Sequence, residues 1–385
     1  MKLKLLLLFL LGSVGFCHAA FDPARDSFVL GFYSADPMND KTMELIKSTG
    51  AEYIHSYNAW KQTPVTRQLD LAQKHNLKVI YDLGSHARLG KEKLRKANWQ
   101  EDMLATVKAV KDHPALAIWY LWDEPSTAML RTLRELRKLV KTQSSVPSAI
   151  VIHERSNYWD SRGHSDIWMV DNYPVRGEVY PDAPLKWHSR MMRNAAASYN
   201  YKGTPFIAVM QATDFSCFKS NIKVKENLQR LRFPNTEEMR FMVYSDFCYG
   251  VRGMLFYSFY HCHIDRPEGK KFFEEVLRPM MLEIKEFTTM LPEVWNVTVR
   301  NSKKIDLANK VSFAYFKRPE KSFIILVNDT NEKRDLKVDL TEYDNMPADG
   351  KLVPWKFTRQ AGTLQNRILK VSNANPWEVF VWEVK

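Results

Sequence analysis

The sequence predicts an α/β fold, a (β/α)8 TIM barrel followed by a small C-terminal antiparallel β-sandwich. Three observations support this fold class. Eight short apolar segments recur over about 270 residues, and most are followed by a segment that fits a helix. The fourth, residues 115–122, is apolar throughout rather than alternating, which is typical of a parallel strand covered on both faces. After residue 291 the sequence changes to short strands separated by turns.

The barrel elements follow from this alternation. Strands are predicted at residues 28–34, 53–57, 77–83, 115–122, 149–153, 167–170, 206–211 and 253–259. Helices are predicted at residues 39–49, 65–75, 99–112, 127–142, 185–198, 236–249 and 270–290. Such alternation predicts a parallel sheet with right-handed crossovers, and eight units fit a closed barrel better than an open sheet. We expect the fifth unit to be irregular, because the link between residues 152 and 167 contains no clear helix.

The C-terminal part is predicted to be a separate β-domain. Its strands are predicted at residues 310–316, 322–327, 334–340, 352–357, 367–371 and 379–384. The run Asn328-Asp-Thr-Asn331 is a typical turn sequence between two of them. We therefore predict a barrel domain at residues 21–291 and a β-sandwich domain at residues 292–385.

The N-terminal residues have a pattern that predicts export of the protein across a membrane. Residues 1–20 combine a basic start, a short run of leucines and small residues suited to cleavage, which is the pattern of a secretory signal peptide. The apolar run is too short for a membrane span, and no later segment is long enough for one. We expect a secreted or periplasmic protein after cleavage.

Charge and glycine patterns exclude several classes of partner. The formal net charge is +12, but Lys and Arg are interspersed with Asp and Glu, which favours an ordinary basic surface over a site for an acidic polymer. No basic stripe or known motif predicts binding of nucleic acid. No glycine-rich phosphate turn follows the first strand, so neither a nucleotide nor another cofactor is predicted. The oligomeric state stays open.

Cysteine and histidine residues indicate neither a disulfide framework nor a metal site. Three cysteines follow the signal peptide; Cys217 and Cys262 come after adjacent strands, so one bridge between them and free buried thiols are both open. The run His261-Cys-His263 with Asp265 has metal-binding residue types but matches no zinc spacing, and no metal is predicted.

Asp123 and Glu124 are the leading candidates for catalysis. They follow the fourth strand directly and precede Pro125, so the barrel would carry them to its C-terminal mouth, where chemistry sits in this fold. Two acids at a buried strand end are costly without a function. Capping of the next helix is the alternative, since acids favour helix N-termini and proline suits the first turn.

The other strand ends supply polar and aromatic side chains to the same mouth. Predicted substrate-binding residues are Tyr33, His55, Tyr57, Asp82, Trp122, Glu154, Tyr173, Gln211 and Tyr257. Asp171 follows the sixth strand and is a third candidate catalytic carboxylate. Aromatic rings stack on sugars while carboxyl groups move protons at a glycosidic oxygen, so this mixture predicts a carbohydrate substrate. Core packing is the alternative for any single tyrosine.

The segment Trp122-Asp-Glu-Pro125 resembles the Asn-Glu-Pro signature of clan A glycoside hydrolases. Those enzymes are (β/α)8 barrels, frequently secreted, that often carry a C-terminal β-sandwich. The resemblance implies that Glu124 is the acid/base, with Asp123 in place of the usual asparagine. It breaks at strand seven, where the family has a nucleophilic glutamate and this chain has Gln211, an amide that cannot form a glycosyl ester.

Three mechanisms remain open from the sequence. Glu124 is the general acid in the first two, with Asp123 as its electrostatic partner. An inverting reaction would use Asp171 or Glu154 as base, about 6.5–9.5 Å from Glu124. The adjacent Asp123 and Glu124 are also similar to the Asp-Glu pair of substrate-assisted hexosaminidases, in which the acetamido group of the sugar attacks. In the third reading the site binds carbohydrate without cleaving it.

Overall fold

The computed structural model describes residues 27–57, 64–86, 99–153, 157–177, 185–199, 204–218, 225–226, 230–264, 266–290, 310–317, 321–343 and 346–385. Eight parallel strands form a closed barrel in sequence order, as predicted. They are β1 Val29–Phe32, β2 Tyr53–Ser56, β3 Lys78–Asp82, β4 Leu116–Trp122, β5 Ser148–Ile152, β6 Ile167–Asp171, β7 Phe206–Gln211 and β8 Gly253–Tyr257. The barrel closes where Val29 of β1 pairs with Gly253 of β8.

Helices surround the barrel and cover the outer face of its strands. They are α1 Asp40–Ser48, α2 Val65–Lys74, α3 Trp99–Val110, α4 Leu130–Lys141, α5 Asn157–Asp160, α6 Lys186–Tyr199, α7 Thr236–Cys248, α8 Pro267–Phe272 and α9 Arg278–Met290. Single π-helical turns occupy Tyr260–Ile264 and Phe273–Leu277. The expected irregularity of the fifth unit is confirmed, since α5 has only four residues.

The alternation of side chains along each strand produces two separate hydrophobic cores. In β4, Ile118 and Tyr120 pack inside the barrel, whereas Trp119 and Leu121 pack against the surrounding helices. Both faces of the strand are therefore buried, which explains its apolar sequence. The pairing of β4 with β5 is irregular between Tyr120 and Trp122, and this irregularity changes which face the following residues occupy.

The C-terminal part consists of two antiparallel sheets, as predicted. One has the order β12-β15-β10-β9 and the other β11-β14-β13. The strands are β9 Val311–Phe316, β10 Ser322–Asn328, β11 Arg334–Asp339, β12 Leu352–Pro354, β13 Thr363–Gln365, β14 Ile368–Ala374 and β15 Val379–Val384. The sequence did not predict β13, which is only three residues long. The predicted domain boundary at residue 291 lies outside the described residues.

The sandwich packs on the outer side of α6 and α7. Ser189 donates a hydrogen bond to Asp329 at 2.5 Å, and the hydroxyls of Tyr249 and Ser312 lie 2.9 Å apart. The guanidinium of Arg240 lies 4.1 Å from the centre of the Phe357 ring. This cover explains why most side chains of α7 are buried instead of only one stripe.

The structure also bears on the expectations about disulfide bonds and membrane spans. Cys217, Cys248 and Cys262 are all free thiols, so the bridge between Cys217 and Cys262 that the sequence left open does not form. Within the described ranges, no helix has the length and apolar character needed to cross a bilayer.

Candidate active site

A cavity of about 170 Å³ opens at the C-terminal ends of the barrel strands. It is lined by Tyr33, Tyr57, Asp123, Glu124, Val151, Asp171, Tyr173, Val209, Phe218 and Tyr257. All three predicted catalytic carboxylates are in this lining, together with four of the predicted tyrosines. Residues on or just after seven of the eight strands thus meet at one point, as the barrel geometry requires.

Glu124 reaches the cavity through an unusual backbone conformation. Its φ angle is +46°, in the left-handed region, which costs a residue with a side chain roughly 1–2 kcal/mol. Its backbone N–H donates to the carbonyl of Val151 on the neighbouring strand at 3.2 Å. The side chain is exposed to the cavity. Strain of this kind is typical of functional sites, where the surrounding structure holds one residue in place.

Asp123 is held by two tyrosine hydroxyls. Tyr120 donates to one carboxylate oxygen at 2.8 Å, and Tyr57 donates to the other at 3.2 Å. Tyr120 comes from inside the barrel and Tyr57 from the end of β2, so the carboxylate is fixed from two sides. A carboxylate has about four acceptor positions, so Asp123 has the chemistry to accept hydrogen bonds from more than these two groups.

Asp171 is the buried member of the carboxylate group. It is 3 % exposed, and one of its oxygens lies within 4.8 Å of an oxygen of Glu124. Burial raises the pKa of Asp171 well above its usual value, and the charges of Glu124 and Asp123 raise it further. Like charges this close disfavour ionisation of both groups, so Asp171 keeps its proton to a higher pH than an exposed aspartate does.

His153 flanks this pair. Its Nδ1 lies 3.1 Å from the backbone carbonyl of Asp171 and 3.7 Å from a carboxylate oxygen of the same residue. Glu124, His153 and Asp171 each offer one ligand atom, all within 4.8 Å of one another, and this is the one group among the described residues that could hold a metal ion. The sequence predicted no metal.

The tyrosines of the cavity stay protonated. Burial, followed by the nearby carboxylates, raises the pKa values of Tyr33, Tyr57 and Tyr173 well above the usual value. Their hydroxyls therefore remain hydrogen-bond donors at any physiological pH. The rings of Tyr173 and Tyr257 are stacked 5.4 Å apart, and Phe218 continues the stack on Tyr257 at 6.5 Å. The result is an aromatic wall within the same cavity as the carboxylates.

Four predicted substrate-binding residues do not line the cavity, and Glu154 lies outside the described residues. Trp122 packs with the outer core, because the irregularity in β4 reverses its side. His55 is fully buried against the rings of Tyr33 and Tyr57, 4.3 and 4.5 Å away. Asp82 is buried and accepts a hydrogen bond from the backbone N–H of Ser85 at 3.2 Å.

Gln211 is the fourth predicted substrate-binding residue outside the cavity lining, and it hydrogen-bonds to the backbone. Its amide nitrogen donates to the carbonyls of Val175 and Thr213, and its oxygen accepts from the N–H of Val175. Both amide hydrogens are therefore used, and the residue is completely buried. Gln211 ties the chain after β6 to the end of β7, and it offers nothing to a sugar hydroxyl.

Sequence reasoning missed Tyr120, Phe218 and the two valines of the cavity. Tyr120 lies three residues before Asp123 and has the parity of an inward-facing strand residue, which was a usable signal. Phe218 belongs to the segment after β7, where nothing in the sequence separates a wall residue from core packing. Glu124 is exposed to the cavity, whereas Asp171 is buried.

No protein-family model and no curated protein matches the sequence. Solved structures do match the fold. A protein described as a glycoside hydrolase aligns with a TM-score of 0.61 at 14% identity, over 93% of this chain and 92% of its own. A glycoside hydrolase family 5 protein from Bacteroides vulgatus aligns with a TM-score of 0.59 at 12% identity, over 93% and 89%. An Anoxybacillus alpha-amylase aligns with a TM-score of 0.54 at 10% identity, over 94% and 98%. At such identities the likeness concerns the fold. This chain has the (β/α)8 fold of clan A-like glycoside hydrolases, without a carboxylate at the end of strand seven.

Proposed function

We propose that this protein is a retaining glycoside hydrolase that cleaves N-acetylhexosaminides with the help of the acetamido group of the substrate. The observation that carries the proposal is the carboxylate group itself. Glu124, Asp123 and Asp171 face one tyrosine-lined cavity at the barrel mouth, and two tyrosine hydroxyls hold Asp123 there.

The size of the cavity favours a single sugar ring. Its volume of about 170 Å³ is below the roughly 300–1,000 Å³ of sites for drug-sized ligands. Tyr173, Tyr257 and Phe218 offer ring faces on which the apolar side of a sugar can stack. Tyrosine hydroxyls can donate hydrogen bonds to the oxygens of the sugar.

The spacing of the carboxylates argues against inversion. An inverting pair is separated by about 6.5–9.5 Å so that a water molecule fits between base and sugar. Oxygens of Glu124 and Asp171 lie within 4.8 Å of each other, which leaves no such room. Retaining pairs are about 5–5.5 Å apart. The short separation therefore favours retention over an inverting reaction that uses Asp171 as its base.

The nucleophile is then best supplied by the substrate. Gln211 is a buried amide, and the raised pKa of Asp171 disfavours its ionised form, so neither is a ready nucleophile. Asp123 is held where it can accept the N–H of a 2-acetamido group. The acetamido oxygen would attack the anomeric carbon while the glycosidic bond breaks, and the proton held between Asp171 and Glu124 would pass through Glu124 to the leaving oxygen. Water would then open the resulting oxazolinium ion at the anomeric carbon, which restores the neutral acetamido group and returns one proton to the pair of Glu124 and Asp171.

The test uses 4-nitrophenyl glycosides in both anomeric forms. We expect turnover of an N-acetylhexosaminide, a product with retained configuration by NMR, and at least 100-fold slower turnover of the matched 2-hydroxy glycoside. Glu124→Gln should lose turnover of substrates with poor leaving groups while keeping affinity. Equal turnover of the 2-hydroxy glycoside would refute the role of the acetamido group and indicate Asp171 as nucleophile. Saturable binding with no turnover in either form would support a carbohydrate-binding protein.

We also propose that the mature protein is exported. The support is the signal-like pattern of residues 1–20, which lie outside the described residues. N-terminal sequencing of the protein from the culture medium or periplasm would check it. A mature protein that begins at Met1 would contradict the proposal.

A further inference from the structure

We propose that Tyr260 forms a second sugar subsite on the side of the cavity away from Glu124, so that the protein acts on chains of at least two sugars and not only on terminal residues. This inference rests on the proposed function. It adds where the rest of the glycan lies and which length of substrate the protein prefers.

Tyr260 is an exposed aromatic ring at the barrel mouth. It is 38% exposed, and Ile264 at the other end of the same π-helical turn is 41% exposed. Large apolar side chains with this exposure number four among the described residues, and two of them lie on this single turn. Short π-helical turns occur frequently at functional sites.

A chain of rings connects Tyr260 to the cavity. Tyr257 lines the cavity, the His261 ring lies 5.5 Å from it, and the Tyr260 ring lies 5.6 Å from His261. Because the cavity has room for one sugar ring, the next ring of a glycan must lie outside it. Tyr260 offers that ring an exposed aromatic face within reach of the cavity wall.

The turn is held firmly, so binding costs little ordering. The N–H of Tyr260 donates to the carbonyl of Ser34 at 3.2 Å, and the N–H of Cys262 donates to the carbonyl of Ser258 at 3.1 Å. The hydroxyl of Ser258 also lies 2.7 Å from Nδ1 of His261. Contacts with β1 and within the turn thus orient the rings before a ligand arrives.

The barrel order decides which neighbouring sugar this subsite takes. In a closed eight-stranded barrel, β8 lies across from β4, so Tyr260 and Glu124 occupy opposite sides of the mouth. Glu124 protonates the oxygen on the anomeric carbon of the ring in the cavity. The sugar on Tyr260 is therefore attached to the far side of that ring, towards the non-reducing end of the chain.

The experiment measures binding of N-acetylglucosamine, N,N′-diacetylchitobiose and N,N′,N″-triacetylchitotriose to the Glu124→Gln protein by calorimetry. We expect the longer sugars to bind roughly two- to tenfold more tightly than the monomer, as for one added aromatic contact. Adding Tyr260→Ala should remove this gain without weakening the monomer. Adding Trp187→Ala, which removes another exposed aromatic, should leave it unchanged.

Each outcome has a separate meaning. Binding of all three sugars with equal affinity, or a gain that survives Tyr260→Ala, would overturn the subsite and leave the proposed function standing. If none of the three sugars binds to the Glu124→Gln protein, which retains Tyr260, both the proposed substrate class and the subsite would be overturned.

Discussion

Asp329 offers a quantitative test of how the sandwich is attached to the barrel. Its carboxylate accepts hydrogen bonds from Ser189 of α6 and Ser312 of β9, at 2.5 and 3.4 Å. Burial raises the pKa of Asp329 from 3.8 to about 6, although these two hydrogen bonds and the charge of Arg193 act in the opposite direction. The perturbation is Asp329→Asn, which keeps the shape and removes the charge.

The sign and size of the effect follow from linkage. The folded state binds the proton of Asp329 more tightly than the unfolded state does. The contribution of this carboxyl to the free energy of unfolding is therefore fully present below pH 3.8 and is lost as the pH rises towards 6. The difference between these pKa values corresponds to about 3 kcal/mol at most. Asp329 is partly exposed, so we expect solvent screening to reduce the effect to about 1–3 kcal/mol.

Thermal unfolding of the two proteins between pH 3.5 and 8 measures this directly. We expect Asp329→Asn to match the wild type at the acidic end and to melt a few degrees higher at pH 7–8. Asp112→Asn, which changes a side chain that is 86% exposed, is the matched control and should have no effect. Parallel pH profiles for the wild type and Asp329→Asn would contradict this prediction, because they would mean that Asp329 has the same pKa in the folded and unfolded protein.

Three further predictions concern the site. Asp171→Asn should raise the melting temperature at pH 8 more than at pH 4, because the pKa of Asp171 is raised in the folded protein and its ionisation is unfavourable there. Thermal unfolding at both pH values checks this, and an equal change at both would contradict it. Tyr120→Phe should lower turnover about 10- to 100-fold, since Asp123 loses a charged hydrogen bond of about 1.5–3 kcal/mol; unchanged kcat on the best glycoside would exclude the positioning of Asp123 by Tyr120. Gln211→Ala should cost about 2–5 kcal/mol in urea unfolding, because it leaves buried backbone groups of Val175 and Thr213 unpaired; a loss of activity with full stability would instead show a role in chemistry.

The fold could be predicted because its signals are local. A strand buried on both faces must be apolar along its whole length, and an amphipathic helix must follow it to cover the sheet. Both patterns are visible at residues 115–122 and in the helix after them. Strand β13 escaped prediction because three residues carry too little pattern, although it forms a tight hairpin with β14 in which Gln365 pairs with Ile368.

The composition of the site was also partly visible in the sequence. Parallel strand ends converge in a barrel, so Asp123, Glu124 and Asp171 were expected near one another, and all three line the cavity. Trp122 was misplaced because one irregular pairing in β4 shifts the alternation of sides, and no residue type announces that shift. Gln211 was misplaced because an amide suits a sugar hydroxyl and a backbone carbonyl equally well.

The barrel, the sandwich and the acids at the mouth could be predicted from the sequence, since they depend on periodicity and on residues adjacent in the chain. Only the tertiary structure decided which acid is buried, because desolvation of Asp171 depends on walls contributed by distant strands. It also decided the spacing of Glu124 and Asp171, which follows from how β4 and β6 are tilted and paired in the closed sheet. Distances between groups remote in sequence arise from packing, and the choice between inversion and retention depends on such a distance.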